Sequence, residues 1–193
     1  MTTIENGEIT ITEIKKSKFI SVALNVQSYD EVLQKIEEIK KLYPNANHYC
    51  FSCVVDKNKF YSDDGEPSGT AGKPILNVIE KSNITNCLIV VVRYFGGIKL
   101  GAGPLTRAYS NCAKEALKNA KIKELKLFTK ICFHISFEQA FNIYLLSSSG
   151  LFLLQKRVGN DFEIVCEKQN KDEVLREIAK FDVSKIEIKE VWL

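Results

Sequence analysis

Three carboxylates, Asp63, Asp64 and Glu66, lie close together in the stretch Ser62 to Lys73, which has three glycines and almost no apolar side chains. Such a trio can hold Mg²⁺, a hard cation that prefers oxygen, or it can orient basic side chains such as Arg93 and Arg107. Magnesium is usually held by one or two carboxylates plus a substrate phosphate, so the trio alone assigns no metal. Ser68, Thr70 and Lys73 in the same stretch suit hydrogen bonding better than catalysis. A second group combines Gly96, Gly97, Gly101 and Gly103 with Arg93, Lys99 and Arg107. Glycine-rich backbone at the start of a helix presents free N–H groups to an anion, and nearby Arg and Lys add charge and forked hydrogen bonds. The spacing matches neither the dinucleotide fingerprint nor the P-loop, which needs Lys and Ser or Thr directly after its last glycine. The plain alternative is a tight turn with close helix packing beside a solvated lysine face.

Cys50 and Cys53 form a C-x-x-C, but within a strand pattern positions three apart point to opposite faces, so the pair does not chelate or bridge. His48 stands just before that strand and could serve a site, whereas His134 falls inside a later strand and reads as packing. No nucleophile–base pair is evident, so no catalytic residue, metal or cofactor is assigned.

The elements that position these groups belong to a chain of 193 residues, long enough to bury a core. Hydrophobic residues at 45% and charged residues at 26% exclude a disordered chain. The longest apolar run of the first domain, Leu88 to Val92, is far short of the roughly 20 residues that cross a bilayer. The amino terminus carries Glu5 and Glu8 and lacks the basic start and apolar block of a secretory signal, so a cytoplasmic location is expected. Six cysteines, mostly in apolar runs, read as buried thiols in a reducing compartment. The net charge of +3 is uneven: residues 91–123 carry seven basic side chains against Glu115 alone, giving +6.

Alternation predicts strands around Ile9–Ile11 and Phe19–Val26, then a helix opened by Ser28 and closed at Pro44. A hairpin is expected from Tyr49–Val55, a turn at 56–59, and Phe60–Tyr61. Pro74 can open a second helix, and the β-branched run Cys87–Val92 reads as a central strand buried on both faces. A third helix begins near Pro104 and runs to about Asn119. The charged stretch Lys121–Lys126 divides the chain into domains 1–123 and 124–193. The second domain reads as strand 127–136, helix 137–149, strand 151–158, a turn at Gly159, strand 162–167, a helix capped by Asn170, and a final strand. That βαββαβ order is ferredoxin-like. The class is therefore α+β.

Asp-Asp-Gly-Glu-Pro-Ser-Gly-Thr-Ala-Gly at 63–72, Val-Val-Arg-Tyr-Phe-Gly-Gly-Ile-Lys-Leu-Gly-Ala-Gly at 91–103 and Arg-Ala-Tyr-Ser at 107–110 resemble the signature of the IMPACT/YigZ family. His48 resembles the histidine that family carries just ahead of the signature, while Pro104 stands where the family more often has a second glycine. The resemblance implies an N-terminal two-layer α/β sandwich like the second domain of a small-subunit ribosomal protein. It also implies a ferredoxin-like second domain similar to those at the end of elongation factor G. Larger eukaryotic relatives act in translational control through an additional amino-terminal domain, for which this chain leaves no room, so the short bacterial-type form is expected. For that form, nucleic-acid or ribosome binding is implied.

The expectation is thus a non-enzymatic binding protein with a role in translation regulation, whose cleft, between loops 63–73 and 93–107, engages RNA or a ribosomal surface. Arg93, Lys99 and Arg107 contact phosphate, Tyr94 or Phe95 stacks on a base, and Asp63, Asp64 and Glu66 orient the basic groups. Two other readings stand beside it: a magnesium-dependent enzyme acting on a phosphorylated small molecule, and a module that binds a protein partner.

Overall fold

A computed structural model describes residues 2–55, 57–146 and 150–192 and, at 144–146 and 154–155, the backbone alone. Position 56 of the expected turn and positions 147–149 of the expected helix lie outside the described residues. The chain forms two compact units, Met1–Glu124 and Leu125–Leu193.

The first unit is built on a five-stranded antiparallel sheet. Its strands are β2 (Thr10–Ile14), β3 (Ser17–Asn25), β4 (His48–Val55), β5 (Asn58–Ser62) and β6 (Cys87–Tyr94), in the order β2-β3-β6-β4-β5. A two-residue turn joins β2 to β3, with Lys15 at φ 45° and Lys16 at φ 66°, the left-handed pair that a tight hairpin needs. Outside the sheet, β1 (Thr2–Ile4) pairs antiparallel with β7 (Ile122–Glu124), Thr2 opposite Glu124.

Three helices cover the sheet: α1 (Tyr29–Leu42), α2 (Gly72–Lys81) and α3 (Ala102–Lys118). Ser28 caps α1, its Oγ accepting the Glu31 N–H at 3.2 Å while Glu31 Oε2 accepts the Gln27 N–H at 2.8 Å. Val32, Ile36 and Ile39 of α1 pack against Leu88, Val90 and Val92 of β6. The intervening residues, Cys87, Ile89 and Val91, turn the other way, into a core with Ile75 and Ile79 of α2 and Tyr109, Cys112 and Ala113 of α3. The expected two layers are therefore three, because a central strand that is apolar on both faces must be covered on both. Cys50 and Cys53 fall into these opposite cores, as period two requires.

The second unit has β8 (Leu127–Ile135), α4 (Ala140–Leu146), β9 (Leu154–Val158), β10 (Asp161–Glu167), a 3₁₀ turn at Lys168–Asn170, α5 (Lys171–Ile178) and β11 (Val183–Trp192). The antiparallel order β11-β8-β10-β9 is the ferredoxin-like arrangement. Ile131, Phe133 and Ile135 alternate into a core with Ile143, Val174 and Ile178. Two expectations are corrected here. Asn170 stands at the N-cap position of α5 but its side chain accepts no capping hydrogen bond; its Nδ2 donates to the Leu151 carbonyl at 3.4 Å. His134 is no packing residue, because it alternates onto the polar face, where its ring is 38% exposed and Nδ1 lies 2.9 Å from Asp161 Oδ1.

Among the described residues, no helix is long and apolar enough to cross a membrane. All six thiols are free and five are buried; burial pushes the Cys50 thiol up to about 12 and the Cys53 thiol up to about 11.

Candidate functional site

The loop between β5 and α2 is held by its own acids. Asp63 accepts the N–H groups of Gly69 at 2.8 Å, Ala71 at 3.0 Å and Gly72 at 2.8 Å. Burial by itself raises its pKa, but the three amides overcome that and hold the carboxyl below its ordinary value. A depressed folded-state pKa gives stability that is present above the unfolded value, about 3.9 for Asp, and is lost as pH falls through the folded one. Asp63→Asn is accordingly expected to cost about 1–3 kcal/mol at neutral pH, since an amide cannot accept from all three donors. Urea unfolding of both proteins between pH 7 and pH 2 checks this; a difference that stays constant in acid contradicts it.

Asp64, at φ 41°, accepts the Tyr49 N–H at 2.6 Å, and its carbonyl lies 2.8 Å from His48 Nδ1. Because a carbonyl only accepts, His48 carries its proton on Nδ1. Thr70 closes the loop on itself, its Oγ1 donating to the Pro67 carbonyl at 2.6 Å.

Glu66 is the one acid of the three that turns inward. Its side chain is 3% exposed and that of Arg93 is 6% exposed. Oε1 of Glu66 accepts from Arg93 Nη1 at 2.6 Å and from the Tyr109 hydroxyl at 2.7 Å. Arg93 Nη2 donates to Ser17 Oγ at 3.2 Å, and the guanidinium carbon lies 5.3 Å from the Phe19 ring centre and 5.4 Å from that of Phe95. Tyr109 is fully buried, packs edge-on against Phe19 with ring centres 5.5 Å apart, and receives the Cys50 thiol at 3.4 Å. Burial first, then the neighbouring Cys50 and Glu66, push the tyrosine hydroxyl pKa up, so it stays a donor.

The two glycine-containing loops open on one groove of about 300 Å³. Glu66 and Pro67 of the first line it together with Lys99, Leu100, Gly101 and Ala102 of the second, and with Arg93, Phe95 and Leu105. Asn47 fixes the second loop, its N–H donating to the Arg93 carbonyl and its Oδ1 accepting the Phe95 N–H, at 2.9 and 2.8 Å. The helix α3 starts at the groove with no capping side chain and no acid in its first turn. Arg107 reaches back over that turn: a methyl group added at Gly103 would lie 3.8 Å from its Nη1.

Of the eleven candidate residues, the groove is thus lined by Glu66, Arg93 and Lys99, with Arg107 beside it. His48, Asp63 and Asp64 brace the first loop, Thr70 does the same from within, and Ser68 and Lys73 stay exposed outside the lining. Two roles change. Tyr94 cannot share the groove with Arg93, because adjacent strand residues face opposite ways; it packs with the α1 core and its hydroxyl donates to the Pro44 carbonyl at 3.0 Å. Arg93 is no phosphate contact, being buried and neutralised by Glu66. The +6 segment is correspondingly less free than its count, since Lys121 also lies 3.5 Å from Glu5, outside the segment. The three carboxylates offer no common donor set to Mg²⁺, because Asp63 serves loop amides, Asp64 serves Tyr49, and Glu66 serves Arg93 and Tyr109. Ser17, Phe19 and Tyr109 were not singled out from sequence. Tyr109 carries two signals: it falls in the Arg-Ala-Tyr-Ser stretch at 107–110, and it is a large hydroxyl-bearing ring among the small residues Ala108, Cys112 and Ala113 on the buried stripe of α3.

Together these features define a two-unit α+β protein whose first unit carries an open groove, edged by an aromatic ring and two exposed cations, over a buried ion pair. Residues 15–117 match the model of the Impact N-terminal domain. The IMPACT family member YvyE of Bacillus subtilis is 45% identical over 126 residues, covering 64% of this chain and 58% of that protein. The IMPACT family member YigZ of Escherichia coli is 34% identical over 134 residues, covering 67% and 66%. The chain belongs to the IMPACT family. Its matched part spans about three fifths of the length of YvyE. A solved structure described as a hypothetical protein superposes with a TM-score of 0.72 at 26% identity, over 96% of this chain and 95% of that one.

Proposed function

We propose that the groove binds RNA, free or on a ribosomal surface, and that the protein acts in the regulation of translation as a binding protein. The observation that carries this reading is the shared groove, in which Phe95, 42% exposed, and Lys99 stand in reach of a ligand beside the uncapped start of α3. Lys99 and Arg107 supply charge to phosphates, and the α3 amides supply donors. Asp63, Asp64 and His48 act indirectly by holding the first loop. The family resemblance directs the partner towards translation, and the groove chemistry directs it towards RNA.

A mixed-sequence RNA oligonucleotide titrated from 20 to 200 mM salt tests this. Each phosphate contact contributes about 0.7 to the slope of log K against log salt for a single strand, so Lys99→Ala and Arg107→Ala are each expected to flatten it by about that much. No binding at low salt, or slopes that neither variant changes, would refute the assignment.

A further inference from the structure

The groove has two chemistries that no single phosphate uses. At its acidic wall the Glu66 side chain is almost fully buried, and its Oε1 is taken by Arg93 and Tyr109. Among the described residues its Oε2 has no hydrogen-bond partner; the nearest ion-pair partner, His48 Nε2, is 3.9 Å away, beyond hydrogen-bond distance. The atom is not sealed from solvent, since Arg93 Nε alone among the described residues is both buried and unpartnered, so from the groove wall Oε2 is free to accept a donor from a ligand. Beside it lie the uncapped start of the 17-residue α3 and Lys99, which favour an anion. Between these the wall is apolar, from Phe95, Leu100 and Leu105.

We infer that the groove takes a single unstacked nucleotide of single-stranded RNA. Its base lies on the Phe95 ring, an exocyclic amino group donates to Glu66 Oε2, and its phosphate sits at the start of α3 near Lys99. This rests on the RNA reading given above and narrows it. The volume of about 300 Å³ is at the small end of ligand sites, enough for one nucleotide and not for a stacked run. A duplex cannot satisfy the groove: its base faces are stacked on each other and its amino groups are paired, so neither Phe95 nor Glu66 is reached. Phe95 is prepared for the role, since its backbone is fixed by Asn47 and its ring already rests beside the Arg93 guanidinium, which holds it in place in the free protein.

The test compares a short adenine- and cytosine-containing RNA with the same strand annealed to its complement, by fluorescence anisotropy at fixed salt. The single strand is expected to bind at least about tenfold more tightly. Phe95→Ala is expected to weaken the single strand by about tenfold while leaving the salt slope unchanged, because a ring and no charge is removed; Phe95→Trp is expected to keep or raise affinity. A polyuridine strand, which has no exocyclic amino group, is expected to bind more weakly than polyadenosine. Equal binding of single strand and duplex, with the Lys99 and Arg107 effects intact, overturns the single-nucleotide inference and leaves the RNA groove standing. An unaltered Phe95→Ala affinity overturns it as well. Absence of binding to every strand removes both.

Discussion

Glu66→Ala is expected to lower the stability of the first unit by about 3–5 kcal/mol, the range for removing one partner of a buried ion pair. The cost arises from what is left behind. Arg93 cannot lose its proton, its side chain is 6% exposed, and its remaining partners are Ser17 Oγ and two aromatic rings. Its Nε already has no hydrogen-bond partner, so the guanidinium has no second site on which to compensate. Tyr109 loses the same acceptor, Oε1 of Glu66. Tyr109→Phe alone removes one donor to that carboxylate, leaves the ion pair in place and is expected to cost about 1.5–3 kcal/mol, which makes it the internal control. The single tryptophan, Trp192, belongs to the second unit, so its emission does not follow the event. Amide hydrogen exchange of Leu88–Val92 in β6 does. A change below about 1 kcal/mol would show that water reaches Arg93 and that the pair is a surface contact after all.

Gly96→Ala is the second large effect, and its cause is steric. A Cβ at this position would stand 1.9 Å from the carbonyl oxygen and 2.0 Å from the carbonyl carbon of Lys16. Both are backbone atoms, and they belong to the Lys15–Lys16 turn, whose left-handed pair is fixed by the β2–β3 register. Neither side can yield cheaply, so overpacking of about 1–3 kcal/mol is expected, together with displacement of the segment that carries Phe95 and Lys99. Gly97→Ala separates this from conformational strain. Gly97 has φ +82° and nothing within 4 Å of an added Cβ, so its cost is the left-handed backbone alone, about 1–2 kcal/mol. Thermal unfolding and RNA affinity are measured on both. If Gly97→Ala proves as harmful to RNA binding as Gly96→Ala, the close approach to Lys16 is not what shapes the groove.

Much of the fold is legible because it rests on periodicity. The run Cys87–Val92 announces a strand buried on both faces, and the spacing of Val32, Ile36 and Ile39 announces the helix that covers one of them. The same run already argues for three layers, since two apolar faces need two covers, against the two that the family resemblance implies. The pairing of Thr2–Ile4 with Ile122–Glu124 is invisible by comparison: three-residue strands carry no period, and the partners are joined by the whole first unit. At the site, counting charges located the right segment but treated Arg93 as solvated. The acid trio is expected to orient Arg93, but which of the three pairs with it, and that the pair is buried, shows only in its partner in space, Glu66. The assignment of Tyr94 and Arg93 to one cleft is different, because strand alternation already forbids it. Tyr109 needed the helix face to be read by size as well as by polarity.

The β1–β7 pair also governs when the first unit can close. Its β1 strand is made before every other strand of the unit, yet its partner is the last strand of the unit to be made. During synthesis Thr2–Ile4 can meet β2 to α3, where the Thr85 N–H donates to the Thr2 carbonyl at 2.9 Å and Asn25 Nδ2 to the Ile4 carbonyl at 2.9 Å, but its strand pairing waits until Ile122–Glu124 emerges. The groove-lining residues, Glu66 to Leu105, thus all precede the strand that completes the unit, and the second unit is still to be translated when it closes.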